Sequence, residues 1–193
     1  MTFPAIEPGL VSVFNKPNGG IVFFAPKGTA VPTRLMQPSA LGTAFASLGD
    51  LGKDGFVESR ESDSEDFEDI NGDVVLTVSK KKSRKWKMTL IETERPVVQE
   101  IVNGAVATNT DGTIKSVKLS TLDNAEGVMV IYELLSSGTL RMVVLDRAKP
   151  EVTGDVTHSK GDLIGHEITV NAFDKGDSSV GMAYYGTAIG GDA

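Results

Sequence analysis

Eight carboxylates, Glu58, Glu61, Asp63, Glu65, Asp66, Glu68, Asp69 and Asp73, fall within one short stretch relieved only by Arg60. Six cations follow at once: Lys80, Lys81, Lys82, Arg84, Lys85 and Lys87. Carboxylates at this density could hold a cation or face a basic surface. The calcium option fails on spacing. Aligning Gly72 to the turn glycine of a calcium loop puts Phe67 at the first ligand position and Val78 where the bidentate Glu belongs. Two readings remain for the charges. In one, they form cross-strand ion pairs on a solvated hairpin, worth a few tenths of a kcal/mol each. In the other, the acidic and basic strips are complementary between copies of the chain and set register in a homo-oligomer. A DNA-gripping strip is disfavoured because the neighbouring acids cancel its field.

Little else in the chain could do chemistry. There is no cysteine, which excludes a disulfide scaffold, a thiol nucleophile and a thiolate metal site. The two histidines, His158 and His166, fall on separate strand candidates with no supporting ligand spacing, and read as surface or interface residues. No phosphate-cradling loop, dinucleotide fingerprint or nucleophile elbow is present. The expectation is a protein with no catalytic residue, cofactor or metal.

The elements that must carry these charges follow from composition. Of 193 residues, 40 % are hydrophobic and 23 % charged, enough for one self-sufficient core. The net charge of −7 argues against a chain built to bind nucleic acid, though not against one that nucleic acid passes. Residues 1–9 lack a signal-peptide pattern and no apolar run approaches membrane length, so the chain is expected to stay where it is synthesised. Glycine and proline punctuate short runs of Val, Ile, Thr and Phe, the habit of an all-β domain.

Strands are expected at Gly20–Ala25, Ala44–Leu48, Thr113–Thr121, Val128–Ser136, Thr139–Asp146, Glu151–His158, Glu167–Phe173 and Val180–Tyr185. Apolar residues on both parities of Val128–Tyr132 predict a strand buried on both faces. The longest candidate is Val74–Ile91. Its even positions are apolar at both ends and cationic between, so both ends are expected on a core with the centre projecting, as a protruding hairpin or arm. One helix is expected over about 94–102, capped by Thr93, with Pro96 in its first turn, Gly104 as its stop, and Val97, Val98, Ile101 and Val102 on one face. The fold class is thus mainly β, a β-sandwich or partly closed barrel with one flanking helix. It forms a single domain over 1–193. Residues 1–19, the loop 29–42, an acidic loop 58–73 and the tail 186–193 are expected as mobile arms.

Several segments, in order, resemble the major tail (tail tube) proteins of long-tailed, non-contractile bacteriophages. They are Gly19-Gly-Ile-Val-Phe-Phe-Ala-Pro-Lys-Gly-Thr-Ala-Val-Pro-Thr33, Phe45-Ala-Ser-Leu-Gly-Asp-Leu-Gly-Lys-Asp-Gly-Phe-Val57 and Ser64-Glu-Asp-Phe-Glu-Asp-Ile-Asn-Gly-Asp-Val-Val75. The long strand ending Thr89-Leu-Ile-Glu-Thr93, Val152–His158 and Gly165–Phe173 complete the likeness. The resemblance implies a structural virion protein made in the host bacterial cytoplasm and residing in the tail. Six copies would form a ring, with inner strands joined in a continuous barrel. Rings would stack around a tape-measure protein and meet tail terminator and distal tail proteins. DNA would pass through without specific binding, and no membrane is involved. Under it, Glu61, Asp63, Glu65, Asp66, Glu68 and Asp69 are candidate lumen or inter-ring residues, and Lys80, Lys81, Lys82, Arg84 and Lys85 candidate inter-subunit bases. Glu61, Asp63 and Glu65 share one face of an extended strand. Other readings are a head decoration or terminator-like protein, or a small-ligand-binding β-barrel.

Overall fold

A computed structural model of the chain describes residues 14–15, 20–120, 126–136, 138–156, 158–174, 176 and 179–187, with the backbone alone for 14, 15, 63 and 79–82. Eleven strands are present among them: β1 Phe14–Asn15, β2 Val22–Pro26, β3 Ala46–Ser47, β4 Leu51–Glu68, β5 Val74–Leu90, β6 Val106–Thr108, β7 Ile114–Val117, β8 Gly127–Leu135, β9 Thr139–Val152, β10 His166–Ala172 and β11 Gly181–Thr187. Helix α1, Pro96–Asn103, follows β5. Nine strands make one antiparallel sheet with the path β3-β2-β8-β9-β10-β5-β4; β1 adds to β8 and β11 to β9. Strands β6 and β7 form a separate pair. The fold is mainly β, as expected. The mobile-arm segments 1–19, apart from Phe14–Asn15, and 188–193 lie outside the described residues.

The sheet cannot lie flat. Its outermost strands, β3 and β4, are six inter-strand steps apart along the path, roughly 29 Å in a flat sheet. Yet only Leu48, Gly49 and Asp50 connect them, a link that reaches at most about 14 Å. The sheet therefore curls until its edges approach, without closing into a barrel. Gly49 allows the turn, at φ 82°, and a Cβ there would collide with the Glu92 carboxylate and Arg95. Glu92 pins the seam: its Oε1 accepts the Asp50 backbone N–H at 2.7 Å and its Oε2 meets Arg95 Nε at 2.5 Å. The Arg95 guanidinium, chiefly, and the Asp50 amide hold its carboxyl below the usual value, against an opposing push from burial.

Inside the curl lies the main core. It takes Trp86, Met88 and Leu90 from β5, Met129 and Ile131 from β8, Val143 and Leu145 from β9, Ile168 and Val170 from β10, and Val98 and Ile101 from α1. A second cluster on the outer face holds Phe23, Val128, Val130, Tyr132, Leu140, Met142 and Val144. β8 is thus buried on both faces, as its pattern predicts. The expected loop 29–42 has no strand, only a 3-10 turn at Pro38–Ala40. It is not a free arm: Val31, Leu35, Met36 and Leu41 lie against the outer cluster.

Several expectations need correction. The strands expected at Thr139–Asp146 and Glu151–His158 are one strand, β9, that runs through Pro150. Pro150 is tolerated because β8 pairs β9 only as far as Ala148, so the proline sits where the strand has one partner. His158 falls outside any strand. β2, β3 and β7 are shifted or shorter than expected, and β6 was given no strand pattern at all. The helix begins at Pro96 rather than 94, with Arg95 and not Thr93 at its N-cap, since proline favours the first helical position. It ends at Asn103, with Gly104 as C-cap at φ 110°, and Val98 and Ile101 are buried. The acidic stretch 58–73 is strand through Glu68, and only 69–73 turns.

His166 is buried rather than superficial. The Gln99 amide nitrogen lies 3.5 Å from its Nε2, and donates at 2.7 Å to the Thr93 carbonyl. Burial, and secondarily His158, pushes its pKa below the ordinary value. The neutral ring is the folded form, so its stabilisation is complete above about pH 6.5 and is lost as pH falls through the lowered native value. Urea denaturation is expected to show the parent losing more stability between pH 7 and pH 5 than the His166→Gln variant. Equal losses in both would place the acid sensitivity elsewhere. At the centre of the core, Trp86→Ala is expected to cost about 3–5 kcal/mol in the same assay.

Candidate functional site

The charged residues singled out by the sequence all fall on one hairpin, β4–β5, paired from Leu51↔Leu90 to Glu68↔Val74. Its root belongs to the sheet, because β10 pairs with β5 from Leu90 to Arg84. Beyond Arg84 the hairpin has no further partner strand among the described residues. It projects as a two-stranded ribbon. The end that projects is the turn end, not the centre of β5. Trp86, Met88 and Leu90 are buried, whereas Val74, Leu76 and Val78 are 54 %, 56 % and 40 % exposed. The physical reason is the turn at 69–73, which makes the first residues of β5 the farthest from the core.

That turn is held by Asp69. Its Oδ1 accepts the backbone N–H of Asn71 at 2.8 Å and of Asp73 at 3.0 Å, and Gly72 takes φ 86°. The amides of Asp73, then Asn71, hold the Asp69 carboxyl below its usual pKa. Ile70, between them, is fully exposed at the tip. Phe67 stands opposite Leu76 in register, and both are about half exposed. An apolar patch therefore lies on the ribbon, and among the described residues no second layer covers it.

The candidate acids are on β4 and its turn, and the bases on β5, so the two strips face each other across one hairpin. Glu61 meets Lys85 Nζ at 2.6 Å, and Ser83 donates to it at 3.4 Å. Asp66 accepts the Thr77 hydroxyl at 2.6 Å. Glu65 and Glu68 stand opposite Val78 and Val74. Arg84 Nη1 lies 3.2 Å from Glu58 Oε1, and Lys87 pairs with Glu167 of β10 at 3.0 Å. The backbones of Asp63 and Lys81 are paired, as are those of Ser62 and Lys82, and Lys80 is the residue skipped where the register shifts between Asp63 and Ser64. The side chains of Asp63, Lys80, Lys81 and Lys82 lie outside the described residues. At the root the charges are therefore satisfied within the chain. The structure does not gather the acids into a pocket.

Two further features were not visible in the sequence. First, the outer edge of β4 has no strand partner among the described residues, nor has that of β11, and β4 is 18 residues long. A long open edge is a template for pairing with another chain. Second, Glu133, Arg141, Glu58 and Arg84, from four strands, converge at one mouth of the curled sheet. Arg141 Nη1 donates to both Glu133 oxygens at 2.7 and 2.8 Å. Its Nη2 lies 3.6 Å from Glu58 Oε2, and its guanidinium stands 5.9 Å from the Tyr185 ring centre. Burial opposes the Arg141 charge, but Glu133 and Tyr185 more than compensate, and its pKa is raised.

The interior of the curl is filled by side chains. A groove of about 630 Å³ lies elsewhere, between α1 and strands β2 and β3, lined by Phe24, Pro26, Ala46, Val97, Ile101 and Pro150 among others. Among the described residues no group of His, Asp and Glu could hold a metal ion, and no helix is long and apolar enough to cross a membrane. The chain matches no protein-family model, and no curated protein sequence matches it.

Asp69→Ala is expected to speed amide exchange in residues 66–76 while leaving the global denaturation midpoint unchanged. A lowered midpoint would mean that the turn supports the body of the fold as well as the ribbon. Glu61→Ala, at an exposed pair, is expected to cost less than about 1 kcal/mol.

Proposed function

We propose that this chain is the building block of the tail tube of a long-tailed, non-contractile bacteriophage. Copies join into rings, six to a ring, and rings stack around a tape-measure protein into a conduit for DNA ejection. A tail terminator and distal tail proteins close its ends. The observation that carries this reading is the ribbon: Phe67, Val74, Leu76 and Val78 are exposed on a two-stranded hairpin whose outer edge has no strand partner among the described residues. Such a hairpin is marginal alone and gains about 25 cal/mol for each Å² of apolar surface a neighbour covers. Edge pairing between copies removes the aggregation hazard by satisfying the backbone. The resemblance to tail tube proteins supplies the biological setting. The acidic balance suits the role, since DNA slides past an acidic wall and is held by a basic one. Glu61, Asp63, Glu65, Asp66, Glu68 and Asp69 serve the lumen or the neighbouring ring in this reading, and Lys80, Lys81, Lys82, Arg84 and Lys85 the neighbouring subunit. No catalytic step is assigned.

Negative-stain electron microscopy of the purified protein, alone and with tail tips added as nuclei, is the direct test. Rings and stacked tubes are expected, and the double variant Leu76→Asp/Val78→Asp should remain monomeric with an unchanged denaturation midpoint. Rings that never stack under any nucleating condition would point to a head decoration or terminator-like protein. A monomer that ignores nuclei would overturn the assembly reading altogether.

A further inference from the structure

We propose that Asn71–Gly72, at the tip of the β4–β5 ribbon, is a site of self-modification: the chain deamidates there, and the Asp69 carboxylate sets the pace. The reaction needs only water. The Gly72 backbone nitrogen attacks Cγ of the Asn71 side chain, closing a cyclic imide as the Cγ–Nδ2 bond breaks. The proton shed by the Gly72 nitrogen leaves with the amide nitrogen as ammonia. Water then opens the imide at either carbonyl. One opening gives an aspartyl residue; the other reroutes the chain through the side-chain carbonyl and gives an isoaspartyl residue. Glycine suits the second position because it has no side chain to crowd the attacking nitrogen.

Asn-Gly occurs at three places, 18–19, 71–72 and 103–104, and the first lies outside the described residues. The other two are held very differently. Asn103 is the last residue of α1, half-buried, and its Nδ2 donates to Gln99 Oε1 at 2.6 Å. The Gly104 N–H points back along the helix to the Glu100 carbonyl at 3.0 Å, and the Ser120 amide donates to the Asn103 carbonyl at 2.7 Å. Freeing that segment means pulling α1, with Val98 and Ile101, from the core. Asn71 and Gly72 are exposed, and a Cβ at Gly72 would meet no described atom within 4 Å. Their turn is closed by Gly72 N–H to the Asp69 carbonyl at 3.0 Å and Asp69 N–H to the Asp73 carbonyl at 2.8 Å. Attack requires only that this turn open. Among the described residues no further strand supports the ribbon beyond Arg84, and such ends open far more readily than the core.

Asp69 is the brake. Its Oδ1 accepts the Asn71 backbone N–H at 2.8 Å and its Oδ2 accepts Asn71 Nδ2 at 3.2 Å, so one carboxylate fixes both the backbone and the reacting amide. Oδ1 also holds the Asp73 N–H at 3.0 Å, which keeps the turn shut and the Gly72 N–H committed to the Asp69 carbonyl. The product alters the ribbon. A new carboxylate joins those of Asp69 and Asp73, and like charges this close repel. The isoaspartyl form also lengthens the turn backbone by one atom, against the fixed Glu68↔Val74 pairing. The tip thereby records how long a chain has stood with its ribbon uncovered. The inference concerns the single chain and does not rest on the tail tube reading.

The test is incubation of the purified protein in mildly alkaline buffer, with the peptides carrying Asn71 and Asn103 followed by mass spectrometry. Labelling by an isoaspartyl methyltransferase marks the rearranged product. Conversion is expected at Asn71 well ahead of Asn103, and Asp69→Ala should speed it roughly fivefold. Asn71→Gln should remove it, because glutamine closes the corresponding larger ring far more slowly. Aged protein should exchange amides faster in residues 66–76 while keeping the denaturation midpoint of fresh protein. In urea the two peptides should convert at similar rates, since both are Asn-Gly. Conversion at Asn71 that is absent, or no faster than at Asn103 in the folded protein, would overturn the site. An unchanged rate in Asp69→Ala, which retains the Asn-Gly pair, would overturn the brake. So would a preference for Asn71 that persists in urea, because the local sequence and not the folded turn would then set the rate.

Discussion

A sheet whose two edges are tied by three residues has no choice but to curl, and the rest of this protein follows from that. Once β3 and β4 are brought together through Leu48, Gly49 and Asp50, the inner face becomes an enclosed volume that only side chains can fill. Trp86, Met88 and Leu90 meet Met129, Ile131, Val143 and Leu145 across it, and α1 stops the open side with Val98 and Ile101. The same curl leaves the outer face of β8 and β9 exposed. The 29–42 segment is then needed as a cover. Glu92, bonded to both the link and Arg95, stands at the one place where all of this is joined.

Curling also decides how charge is used. Inside the curl, alternation along the strands is apolar until the mouth, where it runs out into Glu58, Arg84, Glu133 and Arg141. These four face an environment between core and solvent, and their mutual pairing makes the boundary. Farther out, the exposed Glu61 and Asp66 bind near neighbours, Glu61 reaching back to the half-buried Lys85, with little consequence for stability. Like-looking charges thus have two different jobs, set by distance from the core. The hairpin that carries both kinds links a firmly packed root to a ribbon whose apolar side chains are exposed.

What the sequence disclosed depended on whether the governing forces were local. β8 was legible because both parities of Val128–Tyr132 are apolar, which only two-sided burial explains. α1 was legible in type from Pro96, Gly104 and the spacing of Val97, Val98, Ile101 and Val102, though its first residues were misplaced by giving the cap to Thr93. β9 was read as two strands because Pro150 is a breaker wherever a strand has partners on both sides, and partner number is a tertiary fact. The acidic half of the hairpin looked like a loop because neither of its distal faces is buried, so no apolar alternation was required of it. Glu58, Glu133 and Arg141 are far apart in the chain and carry no shared pattern, so their meeting could not be foreseen. For His166 the local pattern gives no sign of burial, which comes from starting β10 against β5 and lying beside α1.

The ribbon's alternation has a consequence for length. Removing or adding one residue in either strand would turn Phe67, Leu76 and their neighbours to the opposite face. Outside a bulge such as the one that absorbs Lys80, a change of reach that keeps the apolar face therefore takes both strands together, two residues at a time. Each such change moves the tip by about 6.6 Å. The hairpin is a ruler with coarse graduations, and whatever it touches must be spaced to match one of its marks.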